Sequence, residues 1–222
     1  MAQPSQSLIT SVCYPESTQF KNAATEWGCK HEVTALEAYK KQVWQTHVDV
    51  TVSKSGLHVH ILYPFMGATP DGIVSCGCCG KGVLEIKCPY SCRETAFADA
   101  GQHFFLKKDD GHFHLDVKHS YYYQVQAKIK LCSVEYCDFV VWREEELVIQ
   151  RILPDDNFIM DVFRKCEQLI KLAVIPEMLG KRYTKKSIST IAVEFTKPDS
   201  AVSMKPESEQ GKQWCCDVYN WT

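Results

Sequence analysis

The sequence predicts a single α/β domain, and three observations carry that reading. The chain has 222 residues, 45% of them hydrophobic, which suits one domain of comfortable size with a sizeable core. Its apolar segments switch between helical and strand periods in the order α-β-β-β-α-β. The run VLEIKC at 83–88 reads as a strand buried on both faces, and Pro89 ends it.

Taken in order, residues 22–42 predict one long helix, with Ala35, Leu36 and Tyr39 at the spacing of its buried face. Strands are expected at 48–52, 57–63 and 72–75, with a turn at 53–56 between the first two. Residues 93–100 predict a short helix and 121–131 a second one. Segments 136–142 and 146–153 read as a β-hairpin. A helix over 155–178 is entered through the Pro154-Asp-Asp start signal. After Tyr183 the pattern weakens, and 198–213 is rich in Ser, Glu, Lys and Pro, as in a linker or disordered tail. The division expected is an N-terminal extension over 1–21, a folded domain over 22–183, and a tail over 184–222, cut from a larger protein.

Composition sets further bounds. No stretch has the length of a membrane span and no signal peptide opens the chain, so an intracellular protein is expected, nuclear in a eukaryote and not secreted. In that setting twelve cysteines read as buried thiols or metal ligands rather than disulfides. The net charge of −2 conceals its layout, because positive charge gathers at Lys107–Lys108 and in the run Lys181, Arg182, Lys185, Lys186. Such a basic rim suffices for contact with a phosphate backbone, although a solvated helix end explains the Lys181 run equally well.

The chemistry concentrates between Gly67 and Pro89, GATPDGIVSCGCCGKGVLEIKCP. Asp71 follows a Thr-Pro turn. Period two places Glu85 and Lys87 on one face of the strand and Ile86 on the other. Unpaired buried charge is costly, so two carboxylates and an amine at a strand end make sense around a divalent cation. The alternative is a simple ion pair on an edge strand.

The surrounding text decides between them. TPDGIV followed by GVLEIKCPYS, the WGxxxE element of Trp27, Gly28 and Glu32, and the YxxQVQ helix with Tyr121 and Gln124 stand in order along the chain. Together they resemble the YqaJ-like viral recombinase (phage lambda exonuclease) family of PD-(D/E)xK nucleases. The resemblance implies a restriction-endonuclease-like core, a central mixed β-sheet flanked by helices. It implies that Asp71, Glu85 and the carbonyl of Ile86 bind Mg²⁺, with Mn²⁺ as a substitute, and that Glu32 reaches the site from the first helix. Lys87 would position the attacking water, and Gln124 would bond near it. DNA is the implied substrate, cut from the 5′ end of linear duplex, with a single-strand annealing protein as partner and a ring-shaped trimer as the assembly. The chain departs from the family in residues 1–21, which contain no arginine to meet a 5′ phosphate. This keeps open a structure- or sequence-directed endonuclease of a virus or mobile element, and a non-catalytic DNA-binding adaptor. The segment 98–119 is longer than in the phage member of the family and would reshape the DNA channel.

Three features have readings of their own. The tyrosines 121–123 either pack a helix or stack on an unpaired base, and Tyr121 is the candidate DNA contact. His112 and His114 alternate as on a strand face and, like His119, are better read as surface residues than as phosphate ligands. SCGCCGKG places Cys76, Cys78 and Cys79 in a turn, but the crowded spacing lacks a second CxxC. A glycine-rich hairpin with free thiols is therefore favoured over a structural Zn²⁺.

Overall fold

A computed structural model describes residues 4–18 and 22–184. Its centre is a five-stranded mixed sheet in the order β1-β4-β5-β8-β9. The strands are β1 (Thr51–Ser53), β4 (Gly72–Cys76), β5 (Gly80–Lys87), β8 (Tyr136–Arg143) and β9 (Glu146–Ile152). Neighbours run antiparallel except for β5 and β8, which are parallel. Every residue of β8 is buried, as befits a strand covered on both faces.

Helix α2 (Ala23–Thr46) covers one face and α3 (Ser120–Cys132) the other. The side chains of β5 sort between them with period two. Leu84 and Ile86 join Val74, Val140 and Trp142 against Ala35, Tyr39 and Val43 of α2. Val83 packs with Cys137, Phe139 and Val141 against Val125 and Ile129 of α3. Each large apolar side chain removed from water here contributes about 1.5–3 kcal/mol. Glu85 and Lys87 share the Val83 side of the strand, which aims them at α3. The face therefore follows from strand geometry before any chemistry is considered.

Two hairpins flank the sheet. One pairs β2 (His58–His60) with β3 (Tyr63–Ala68), the other β6 (Leu106–Asp109) with β7 (His112–Leu115). The second occupies the long 98–119 segment, and His112 and His114 alternate along β7 as expected. The expected strand over 57–63 is instead the β2 strand and the turn into β3. The helix expected at 93–100 is replaced by single 3₁₀ turns at Tyr90–Cys92 and Phe97–Asp99. The amide of Phe97 donates to the Glu146 carboxylate (2.9 Å) while its ring sinks into the core, which ties the segment to the β8–β9 hairpin.

The helix expected over 155–178 runs continuously over 156–180 but changes its winding on the way. α4 (Asp156–Leu169), capped by the Asp155 side chain, leads into a π-helical turn at Ile170–Val174 and then α5 (Ile175–Gly180). Pro176 accounts for the altered winding, because it has no N–H to give the carbonyl of Leu172. The Tyr183 hydroxyl donates to that carbonyl instead (3.3 Å). Near the N-terminus, α1 (Gln6–Cys13) packs along this stretch, with Ile9 fully buried and the Tyr14 hydroxyl donating to Glu177 (2.8 Å).

Candidate active site

The ladder between β4 and β5 ends at Gly72 opposite Leu84. Asp71 continues the pairing in a different way. Its amide donates to the Leu84 carbonyl (3.0 Å), and its Oδ2 accepts from the Ile86 amide (2.6 Å). The carboxylate thus takes the place of the missing strand partner and is held against β5. In an extended strand the N–H and C=O of one residue face the same edge, so the Ile86 carbonyl faces the Asp71 edge too.

Glu85 is 2% exposed and meets two ammonium groups. Lys87 stands 2.8 Å from its Oε1, and the buried Lys128 of α3 bonds its Oε2. Lys87 also donates to Gln124 Oε1 (3.3 Å) and lies over the Tyr121 ring, 4.3 Å from its centre. Tyr121, Gln124 and Lys128 follow each other at helical spacings of three and four, which puts them on the α3 face towards β5. Lys128 was not anticipated. Its position four residues beyond Gln124, within a helix already expected, is the signal that finds it.

The charges are unevenly matched. Burial and the neighbouring Glu85 raise the Asp71 carboxyl to about 7, against the weaker pull of Lys128 and the Ile86 amide. Burial pushes Glu85 the same way, but Lys128 and Lys87 outweigh it and hold Glu85 at about 2. Burial acts to neutralise Lys87, yet Glu85 keeps it above the usual lysine range.

Asp71, Glu85, Ile86, Lys87 and Tyr121 line one cavity of about 180 Å³, with Gly28 and Glu32 of α2 on the opposite wall. Glu32 joins the site at its rim rather than in a tight carboxylate group. Among the described residues, the only group of three or more ligand atoms packed within 4.8 Å lies elsewhere. A second cavity, about 430 Å³, shares Phe105 and Tyr121 with the first and continues past Tyr90 and His103.

The remaining candidates are scattered. Tyr121 packs against Phe105 and Phe139, and it also lines the cavity. Lys107 on β6 donates to the Gln102 carbonyl (2.7 Å), and Lys108 lies over the Phe113 ring. Lys181 is the left-handed cap of α5 and, with Arg182, lies outside both cavities. Lys185 falls outside the described residues. Cys76, Cys78 and Cys79 gather in the β4–β5 turn around His47, which caps α2 and which the sequence reading passed over.

A mixed sheet that brings an Asp and a Glu-x-Lys to one strand end between two helices defines the PD-(D/E)xK type of fold. The chain belongs to the YqaJ-like viral recombinase domain family, whose pattern matches residues 2–133. It is similar in structure to the alkaline exonuclease LHK-Exo of Laribacter hongkongensis, with 24% identity over 82% of this chain and 87% of that one, at a TM-score of 0.56. LHK-Exo in complex with dAMP gives 22% identity over 79% and 85%, at a TM-score of 0.53. At these identities the likeness establishes the shared fold. A comparison with curated proteins finds no match. Among the described residues, no helix is long and apolar enough to cross a membrane.

Proposed function

We propose that this protein is a divalent-metal-dependent deoxyribonuclease that acts as a 5′–3′ exonuclease on linear duplex DNA. The observation that carries the proposal is the Asp71 carboxylate bonded to the Ile86 amide, beside Glu85 and Lys87 in one cavity. Membership of a recombinase family supports it.

The donors fit a hard cation. Asp71, Glu85, Glu32 and the Ile86 carbonyl offer only oxygen, which suits Mg²⁺ with Mn²⁺ as a substitute. Burial and the adjacent Glu85 raise the Asp71 carboxyl, and a dication beside it would favour its ionised form. When bound, Mg²⁺ polarises the phosphoryl oxygen and eases ionisation of a water.

The chain's own groups do the rest. Asp71 and Glu85 fix the acidic end of the cavity. Gln124 and Glu85 orient the Lys87 ammonium, which steers the attacking water and stabilises charge developing on the phosphate. A bond forms from the water oxygen to phosphorus as the bond to the leaving sugar oxygen breaks, and that oxygen departs as a hydroxyl. Tyr121 stacks on a base beside the cut, and Lys107 and Lys108 neutralise backbone phosphates further along the duplex. The trimer and the annealing partner implied by the family resemblance belong to the same proposal, and sedimentation of the purified protein tests the first.

The test uses linear duplexes labelled at either end, with and without a 5′ phosphate, alongside a closed circle in Mg²⁺. Mononucleotides released from the 5′ end, with the circle intact, are expected. Linearised circles would replace the exonuclease reading with an endonuclease. Binding without cleavage in Mg²⁺ and Mn²⁺ would overturn the nuclease altogether.

A further inference from the structure

We infer that His47, Cys76, Cys78 and Cys79 form a structural zinc site that fastens α2 to the β4–β5 hairpin, independent of the nuclease centre. The sequence offers three cysteines at a crowded spacing. The fold brings the fourth ligand, because α2 ends with His47 directly over the turn that joins the two strands.

The ligand atoms already converge. His47 Nδ1 lies 3.3, 3.4 and 3.7 Å from the sulfurs of Cys79, Cys78 and Cys76. The sulfur of Cys78 stands 3.1 Å from that of Cys76 and 3.5 Å from that of Cys79, and all four atoms lie within 4.8 Å of one another. Zinc–sulfur bonds of about 2.3 Å place tetrahedral sulfurs about 3.8 Å apart, so small movements suffice to seat the ion. The backbone holds the two halves in place without metal, since the Gly77 amide donates to the Val48 carbonyl (2.9 Å).

Three thiolates and a neutral imidazole leave Zn²⁺ with a net charge of about −1. Arg151 of strand β9, held by Asp138 through bonds of 2.8 and 2.9 Å, is a hydrogen-bond donor on this side of the sheet rather than a free positive charge. With four protein ligands the site is closed, which fits a structural role and leaves no open position for substrate. The ion would tie the end of α2, which carries Glu32, to the strands that carry Asp71, Glu85 and Lys87.

The test is metal analysis of the full chain purified with a reductant from zinc-supplemented medium, followed by replacement with Co²⁺. One equivalent of zinc is expected, and the cobalt form should show thiolate charge-transfer bands and the visible bands of a tetrahedral ion. In competition with a chromophoric chelator, Cys78→Ser and His47→Ala should each weaken binding by more than about 100-fold, beyond what loss of an outer-shell partner costs. Cys166→Ser, the double variant Cys215→Ser/Cys216→Ser and Asp71→Asn should retain the metal. A wild-type chain that binds neither ion under reductant would overturn the proposal. So would undiminished binding in Cys78→Ser and His47→Ala, or loss of the metal with Cys215 and Cys216. Because Asp71→Asn disables the proposed catalysis alone, zinc content and nuclease activity fail or succeed separately.

Discussion

Glu85 is shared between two lysines, and that sharing determines how its neighbours respond to substitution. Lys128→Met keeps the bulk of the side chain but strips one ammonium from a buried carboxylate. Breaking a buried pair costs about 3–5 kcal/mol, and the remaining contact with Lys87 should reduce this to about 2 kcal/mol in metal-free protein. Mg²⁺ binding should tighten at the same time, because a competing cation has left. Urea denaturation without metal and calorimetric titration with Mg²⁺ read the two effects, and unchanged Mg²⁺ affinity would show that Lys128 does not compete. Asp71, Glu85 and Lys87 were legible in the sequence because strand period and local motif both act over a few residues. Lys128 and His47 were not, since each meets its partners across tens of residues, and only the packing of α3 and α2 on the sheet brings them in.

Gln126 belongs to the element that carries Gln124 but faces the other way. Its amide nitrogen donates to the Leu153 carbonyl (2.9 Å) and its oxygen accepts from the Asp155 amide (2.8 Å), so it fixes the exit of β9 against the start of α4. Gln126→Leu should cost about 1–3 kcal/mol by stranding both backbone groups, with DNA cleavage per folded molecule unchanged. Gly82 makes a similar point on β5. A Cβ there would lie 2.2 Å from the Tyr136 ring on the adjacent strand, so Gly82→Ala should destabilise by about 1–3 kcal/mol in the same denaturation experiment. The central strands and both long helices were legible because their apolar periods match the faces they bury. β3 was hidden by Pro64, which an edge strand paired only with β2 tolerates. The π-helical turn in the last helix was signalled by Pro176, whose effect a reading of apolar spacing alone passes over.

The whole molecule places its acidic centre at the junction of three pieces: the α2 helix, the β4–β5 pair and the α3 helix. Nothing in the net charge of −2 announces a DNA-binding protein, because the relevant charge is local and partly internal. If zinc fastens α2 to the hairpin, a strong chelator should lower the melting temperature of the wild-type chain and leave that of Cys78→Ser almost unmoved. A thermal scan in reductant compares them, and equal shifts would place the chelator's effect elsewhere. The central claim is that Lys87, held by Glu85 and Gln124, assists phosphodiester hydrolysis at this junction. It is tested most directly by the rate at which the wild type and Lys87→Ala release nucleotides from linear duplex DNA in saturating Mg²⁺. The variant should lose some stability, as Lys128→Met does, yet per folded molecule it should bind DNA as the wild type does while cleaving about 10²–10³-fold more slowly, the loss expected for one preorganised donor. Equal rates for the two proteins would contradict the account.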